Sequence, residues 1–433
     1  MTTLLERAIG DGIGRERALA GARRAGPLAA AGMAANAANV VVTVVLARLL
    51  TVRGYGSLNQ LVSIYLVLSM PGSALLVAVV RRVTGWDARG RGAQVGDWAV
   101  RILRRGAGAV ALVAAMAWLA RHWIAGRMSL PNADGVPQVL VAGAAWALLC
   151  VERGLLQARR AYPALARNLA VEGAARTVLT LVLVVAGLGV GGATLGLLGG
   201  VAVALVEAAR SVGRRPVETA LPVPAGAGPR RHQRDLVPDV LTALGALALL
   251  AVLQSADVVL VGRLAPSRVG AYAAVSVASK ALAFGALVLC GFLLPEAATR
   301  FGQGEHALHE LGVALAVLSV PSATLVAMAV VAHRQVIAVF FGPQLAGSSS
   351  ALVPLALAMS ALGATMLFTH YLLGFGRRVV VAVLAAGAVV SVVVMAGAGG
   401  SPAATAWRDL CVQAAVAAAA GALVLGLPRP RTA

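Results

Sequence analysis

Two oppositely charged residues lie in or beside long apolar runs in the second half of the chain. Lys280, the only lysine, falls in the middle of one run, and Asp257 falls near the end of the run before it. A charge inside a bilayer costs roughly 2.5–3.5 kcal/mol on insertion scales, so each such residue is a candidate for function. Lys280 is interpreted either as a contact for a phosphate group in a central cavity or as part of a structural ion pair. Asp257 is interpreted as a coupling or gating residue, or as a structural contact.

The spacing of these two residues argues against a direct contact between them. Counted from the turn that joins the two runs, Lys280 lies deeper than Asp257 by roughly 8–10 Å at 1.5 Å per helical residue. A salt bridge would need the full reach of the lysine side chain. We therefore expect Asp257 and Lys280 to act separately.

The first half of the chain has a second set of polar residues within apolar runs. Glu172 and Arg176 stand four residues apart, so on a helix they share a face and can neutralise each other. Arg176 can alternatively offer its planar guanidinium to a phosphate. Asn36 and Asn39 can line a cavity and bind sugar hydroxyls, or they can hold neighbouring helices together.

Arginines mark both ends of the apolar runs. Arg48 and Arg263 occupy equivalent outer ends and are interpreted as interfacial anchors or as an outer gate. Arg153, Arg159 and Arg160 follow another run at the predicted inner side. They are interpreted as ordinary inner-side charges or as a site that captures an anionic headgroup at the inner mouth.

The sequence has no pattern typical of an enzyme. It contains no phosphate-binding loop, no metal-ligand spacing and no nucleophile–base arrangement, so we predict neither an enzyme nor a bound cofactor or metal. Its three cysteines lie in or beside apolar runs, where packing is their expected role.

Composition identifies the class of protein to which these residues belong. Of 433 residues, 59% are hydrophobic and 12% are charged, whereas a soluble domain is about a quarter charged. About a dozen continuous apolar runs are long enough to cross a bilayer as helices. The net charge of +20 lies mostly in short loops on alternate sides, which indicates membrane orientation rather than nucleic-acid binding. Both termini are predicted to be cytoplasmic.

The runs divide the chain into two similar halves. We predict a basic amphipathic cytoplasmic segment at 1–27 and a first lobe of six spans at 28–209. A Pro-, Gly- and Arg-rich cytoplasmic linker at 210–235 leads to a second lobe of six spans at 236–427, and a basic cytoplasmic tail follows at 428–433.

Two short motifs repeat between these halves. ARLLTVRGYG at Ala47–Gly56 is matched by ADVVLVGRLAPSRVGAY at Ala256–Tyr272, and in each copy two arginines stand five residues apart. The pair Arg159-Arg160 in the first half is likewise matched by Arg377-Arg378 in the second half, and the two repeats are separated by similar numbers of residues. Parallel repeats of this kind are typical of transporters, in which two bundles rock about a shared cavity. The predicted fold is therefore an all-α polytopic membrane protein, with about 12 transmembrane helices in two six-helix lobes related as parallel repeats around a central cavity.

The order of these motifs resembles a known superfamily. ARLLTVRGYGSLNQLVSIYLVLSMPGSALLVAVVRR, GLLQARRAYPALARNLAVEGAARTVL, SADVVLVGRLAPSRVGAYAAVSVASKAL and LLGFGRR together resemble the polysaccharide-biosynthesis branch of the multidrug/oligosaccharidyl-lipid/polysaccharide exporters. The resemblance covers nearly the whole chain. It implies a multi-pass protein of the bacterial plasma membrane that flips an undecaprenyl-pyrophosphate-linked oligosaccharide to the outer leaflet.

The resemblance also implies partners and leaves rivals open. The implied partners are the lipid-linked glycan, membrane lipids, polysaccharide polymerases or glycosyltransferases, and a coupling H⁺ or Na⁺, with no nucleic acid. The first rival is a cation-coupled multidrug antiporter of the same superfamily. The second is a non-transporting scaffold for polysaccharide assembly.

Overall fold

A computed structural model describes residues 38–87, 93–213, 236–302 and 308–426. Within these ranges every regular element is a helix. The predicted N-terminal segment 1–27, residues 214–235 of the linker, the tail 428–433 and Asn36 lie outside the described residues.

The first half of the chain contributes seven helices. Two of them, α2 and α3, form one span that is interrupted at Met70-Pro71, because proline lacks the N–H that helix continuation requires. Thr51 begins α2 as its N-cap and accepts a hydrogen bond from the Gly54 amide. The helices are α1 (Ala38–Leu49), α2 (Val52–Ser69), α3 (Gly72–Asp87), α4 (Ala93–Arg127), α5 (Val136–Ala158), α6 (Tyr162–Leu183) and α7 (Gly189–Gly213).

The second half contributes six helices and one short 3₁₀ segment, Pro343–Ala351. Pro402 starts the last helix, as expected from proline's preference for the first turn. The helices are α8 (Leu236–Leu264), α9 (Val269–Gly302), α10 (Leu308–Phe341), α11 (Leu352–Gly374), α12 (Val379–Ala396) and α13 (Pro402–Leu425).

Nine stretches of the described chain are long and apolar enough to cross a membrane, and α1 and the first part of α9 are shorter apolar helices. One of the nine, Tyr162–Val212, holds two spans, because 51 residues of straight helix would measure roughly 75 Å against a hydrocarbon core of about 30 Å. It folds back at a π-helical turn where Gly187 and Gly189 have positive φ. The predicted twelve-helix, two-lobe membrane fold is confirmed.

The two lobes meet through α2. This helix packs on α8 and α9 of the second lobe, and Tyr55 near its start contacts Phe341 at the end of α10, with ring centroids 6.5 Å apart. The turn between α1 and α2 therefore lies beside the turn between α8 and α9. These are the two turns that carry the repeated motif.

Candidate functional site

The first candidate site is an ion pair inside the C-lobe. Lys280 Nζ lies 3.2 Å from Asp257 Oδ1, and Ser276 Oγ donates a 2.8 Å hydrogen bond to Asp257 Oδ2. Ser276 and Lys280 are four residues apart on α9, so both side chains reach the same face of α8. All three residues are buried.

This pairing shows that the expectation of separate residues was wrong. Helix α8 continues to Leu264, so Asp257 lies seven residues before its end and deeper than the sequence indicated. Lys280 lies eleven residues into α9, and the remaining difference of four residues is about 6 Å. A lysine side chain spans that distance.

The C-lobe contains a second buried carboxylate, which the sequence analysis did not identify. Asp409 lies on α13, is fully buried, and accepts a 3.2 Å hydrogen bond from Gln413 Nε2 on its Oδ1 atom. Asp409 Oδ2 has no hydrogen-bond partner among the described residues. Helix α13 begins at Pro402, so Asp409 lies within it, and a proline followed by an apolar run could have shown this.

Asp257, Ser276, Lys280, Asp409 and Gln413 together form what we call the C-lobe polar cluster. The Gln413 amide also donates to the carbonyl of Leu253 at 2.9 Å, which joins α13 to α8. Asp409 lies within electrostatic range of both Asp257 and Lys280. The cluster therefore contains two carboxylates and one ammonium group, all of them buried.

The N-lobe contains a second charged network, built around Glu172. Arg176 Nη1 lies 2.9 Å from Glu172 Oε1, at ion-pair distance although outside hydrogen-bond angles, so the predicted pair on α6 is confirmed. Arg153 on α5 donates to Glu172 Oε2 at 3.1 Å and to Asn168 Oδ1 at 2.8 Å. The Arg153 guanidinium also lies 5.2 Å from the Trp146 ring centroid.

The structure places Arg153, for which headgroup capture at the inner mouth was one interpretation, in the interior of the N-lobe. Helix α5 continues to Ala158, so Arg153 lies more than one turn before its end, and its side chain is only 4% exposed. Arg159 donates a 2.9 Å hydrogen bond to the Val212 carbonyl near the end of α7. Of the three arginines, only Arg160 is exposed, at a position of positive φ.

Glu207 on α7 extends the network towards the end of the bundle. It accepts hydrogen bonds from Asn168 Nδ2 at 2.6 Å, from Arg167 Nε at 2.8 Å and from Ser211 Oγ at 2.9 Å. We call Arg153, Asn168, Glu172, Arg176 and Glu207 the N-lobe charged network. Asn168 and Glu207 were not identified in the sequence because only folding brings α5, α6 and α7 together.

Two hydrogen bonds to main-chain carbonyls cross between the lobes. Arg48 Nη2 donates to Val339 O at 2.6 Å, and Ser129 Oγ donates to Arg263 O at 3.2 Å. Arg48 and Arg263 are both exposed. The repeat-related arginines thus lie at the lobe contact, Arg48 through its side chain and Arg263 through its carbonyl.

Glycines bring the two backbones together at the same contact. A Cβ atom on Gly56 would lie 2.7 Å from the Gly270 nitrogen, and one on Gly270 would overlap the Val52 carbonyl. Gln60 packs in the same way against Gly262 while donating to Met128 O at 3.2 Å. The two lobes can approach this closely only because Gly56, Gly262 and Gly270 have no side chains.

The remaining predicted cavity residue is Asn39. It is half-buried on α1, and its carbonyl accepts a 2.7 Å hydrogen bond from Thr43 Oγ1. In the part of the chain that the structure describes, no three His, Cys, Asp or Glu residues are grouped as metal ligands.

Comparisons with known proteins identify the fold. No protein-family model matches the sequence, and no curated protein matches it. A multidrug-resistance MATE family transporter of the MOP superfamily in an inward-facing conformation matches with a TM-score of 0.69 at 13% identity, covering 90% of this chain and 96% of that one. A variant of the Vibrio cholerae MATE transporter VcmN matches with a TM-score of 0.63 at 15% identity, covering 92% and 94%.

A third solved structure is a MOP superfamily transporter from Pyrococcus furiosus, for which a binding pocket of reversed polarity suggests a different function. It matches with a TM-score of 0.62 at 14% identity, covering 94% of this chain and 95% of that one. At these identities the likeness establishes the fold. This chain is a multi-pass membrane protein with the two-lobe fold of these transporters.

Proposed function

We propose that this protein is a secondary transporter of the plasma membrane that exports an amphiphilic organic solute by alternating access, coupled to a proton or cation. The observation that carries the proposal is the C-lobe polar cluster. Lys280 contacts Asp257, while Asp409 has only the Gln413 amide. A buried carboxylate without a cation is costly, so it favours taking up a proton or binding an ion.

The pairing of charges favours the antiporter over the flippase. The prediction of an anionic cargo depended on Lys280 and Arg176 being available in a cavity. Lys280 contacts Asp257, and Arg176 contacts Glu172, so neither carries an unpaired positive charge. Asp409, which among the described residues accepts a hydrogen bond only from the Gln413 amide, instead suits a cationic coupling partner.

The lobe contact supports alternating access between two states. Besides the packing of α2 on α8 and α9, it includes two hydrogen bonds from side chains to main-chain carbonyls and a glycine contact, which lie at the end of the bundle where α1 meets α2 and α8 meets α9. Among the described residues, each ion pair lies within a single lobe, so separating the lobes there leaves no uncompensated charge. If both termini are cytoplasmic, as the arginine distribution predicts, this end faces outward and the lobe contact closes the bundle on that side.

The proposal is tested with purified protein in liposomes. Ethidium movement is measured under an imposed proton or sodium gradient for wild type, Asp409→Asn and Asp97→Asn, the last being an exposed aspartate on α4. We expect gradient-driven movement in wild type and Asp97→Asn, and a loss of at least tenfold in Asp409→Asn. Movement that ignores both gradients, or an unchanged Asp409→Asn rate, would contradict the coupling role.

The flippase remains the second candidate because of one observation. The Arg176 side chain is 16% exposed, more than Glu172 or Arg153, so it can still offer donors to a phosphate. The same liposomes are loaded with a fluorescent undecaprenyl-pyrophosphate oligosaccharide, and its transfer between leaflets is measured. Transfer of this lipid without ethidium movement would replace the antiporter by the flippase. Activity in neither assay would favour the scaffold.

A further inference from the structure

Among the described N-lobe helices long enough to cross a membrane, α4 is the least buried within the protein. One stripe along its surface changes from apolar to basic side chains. Leu112, Met116 and Leu119 are 61%, 60% and 82% exposed, as expected for side chains that face lipid. Arg105 stands seven residues before Leu112, two helical turns away, and Arg101 stands one turn further. Both arginines are exposed on this same stripe, about 10–16 Å from Leu112 along the helix.

The end of α3 completes this basic surface with a stacked arginine. The Arg82 guanidinium lies 4.8 Å from the Trp86 ring centroid and 5.4 Å from that of Trp98. The two indoles pack edge-to-face at 5.5 Å, on a cluster of buried side chains that joins α3, α4 and α5. Arg82 is therefore held in place, and tryptophans at this level are typical of the membrane–water interface.

The charge balance of this surface is strongly positive. The described side chains of residues 81–86 and 94–105 include five arginines and one aspartate, Asp97, and all six are exposed. We call Arg81, Arg82, Trp86, Trp98, Arg101, Arg104 and Arg105 the α3–α4 corner. Its arginines lie where the apolar stripe of α4 ends, which is the level of lipid phosphates.

We propose that the α3–α4 corner binds the headgroup of an anionic phospholipid. The acyl chains lie along Leu112, Met116 and Leu119, and Arg101 and Arg105 contact the phosphate above them. The positioned guanidinium of Arg82 supplies a third contact from α3. This site is separate from both buried polar sites and does not depend on what the protein transports.

The test compares two ends of the same helix. Purified full-length protein in detergent is titrated with dioleoyl phosphatidylglycerol, and bound lipid is counted by native mass spectrometry. The test variant is Arg101→Gln/Arg105→Gln. The control variant, Arg121→Gln/Arg127→Gln, removes the same charge from the other end of α4. We expect phosphatidylglycerol binding about fivefold to thirtyfold weaker in the test variant, and within about twofold of wild type in the control.

Two further measurements keep the proposal falsifiable. Arg82→Gln should also weaken binding, by about threefold, because it removes a single contact; this variant decides the matter if the double variant does not fold. Glycerol phosphate, which lacks acyl chains, should not displace the lipid at equal concentration. Equal weakening in test and control variants, no weakening in either, or displacement by glycerol phosphate would each overturn the site.

Discussion

Lys280 Nζ and Asp257 Oδ1 meet at 3.2 Å between two helices that the chain connects through a short turn at Ala265–Arg268. Each residue neutralises the charge of the other in the interior of the C-lobe. The pair also fixes the rotation of α8 against α9, because a shift of one residue on either helix would turn one partner away. Asp409 stands beside this neutral pair as the additional carboxylate.

Breaking this pair from one side should destabilise the protein strongly. Lys280→Met leaves Asp257 buried without a cation, and Asp257→Asn leaves Lys280 without an anion. We expect each to lower the free energy of unfolding by about 3–5 kcal/mol, and the double variant to recover most of it. Chemical denaturation of the three variants in detergent measures this cycle. Additive losses in the double variant would show that the two charges do not stabilise each other.

Replacing Asp409 with asparagine should stabilise the protein rather than destabilise it. Asp409→Asn removes a buried negative charge and keeps a group that can hydrogen-bond with Gln413, so we expect the melting temperature to rise by a few degrees. Differential scanning fluorimetry measures it, with Asp97→Asn as the exposed control that should not change. A lower melting temperature in Asp409→Asn would mean that its charge is stabilising, through attraction to Lys280.

In the N-lobe, the carboxylate of Glu172, which both Arg153 and Arg176 contact, should contribute more to stability than Arg176 does. Glu172→Gln leaves buried Arg153 without its ion-pair partner, for which we expect a loss of about 3–5 kcal/mol. Arg176→Gln should cost less, because the Arg176 side chain is partly exposed and Arg153 still neutralises Glu172. Unfolding curves of the two variants give the ranking, and a larger loss for Arg176→Gln would refute it.

The glycine contact between the lobes should control which side of the bundle is closed. Gly270→Ala places a methyl group on the Val52 carbonyl, so the lobes must separate, whereas Gly285→Ala on the same helix meets no atom within 4 Å. In a background with cysteines at Ser129 and Arg263, we expect Gly270→Ala to reduce disulfide cross-linking at least fivefold and Gly285→Ala to leave it unchanged. Equal cross-linking in both would mean that the contact accommodates a side chain.

The class of the protein, the existence of its helices and the interactions within one helix follow from the sequence alone. Continuous apolar runs define spans because a bilayer leaves no other partner for the backbone, and Glu172 and Arg176 had to meet because four residues separate them on α6. The repeated turns were also identified correctly, and the fold places them together.

The contacts between helices, in contrast, depend on how the helices pack in the folded protein. Whether Lys280 reaches Asp257 depends on where α8 ends, and a shift of a few residues in that boundary moves a side chain by several ångströms. Arg153 became buried for the same reason, because α5 extends past it to Ala158. The pairing of Arg48 with the Val339 carbonyl, 291 residues away, depends on how the two lobes pack, which no local spacing encodes.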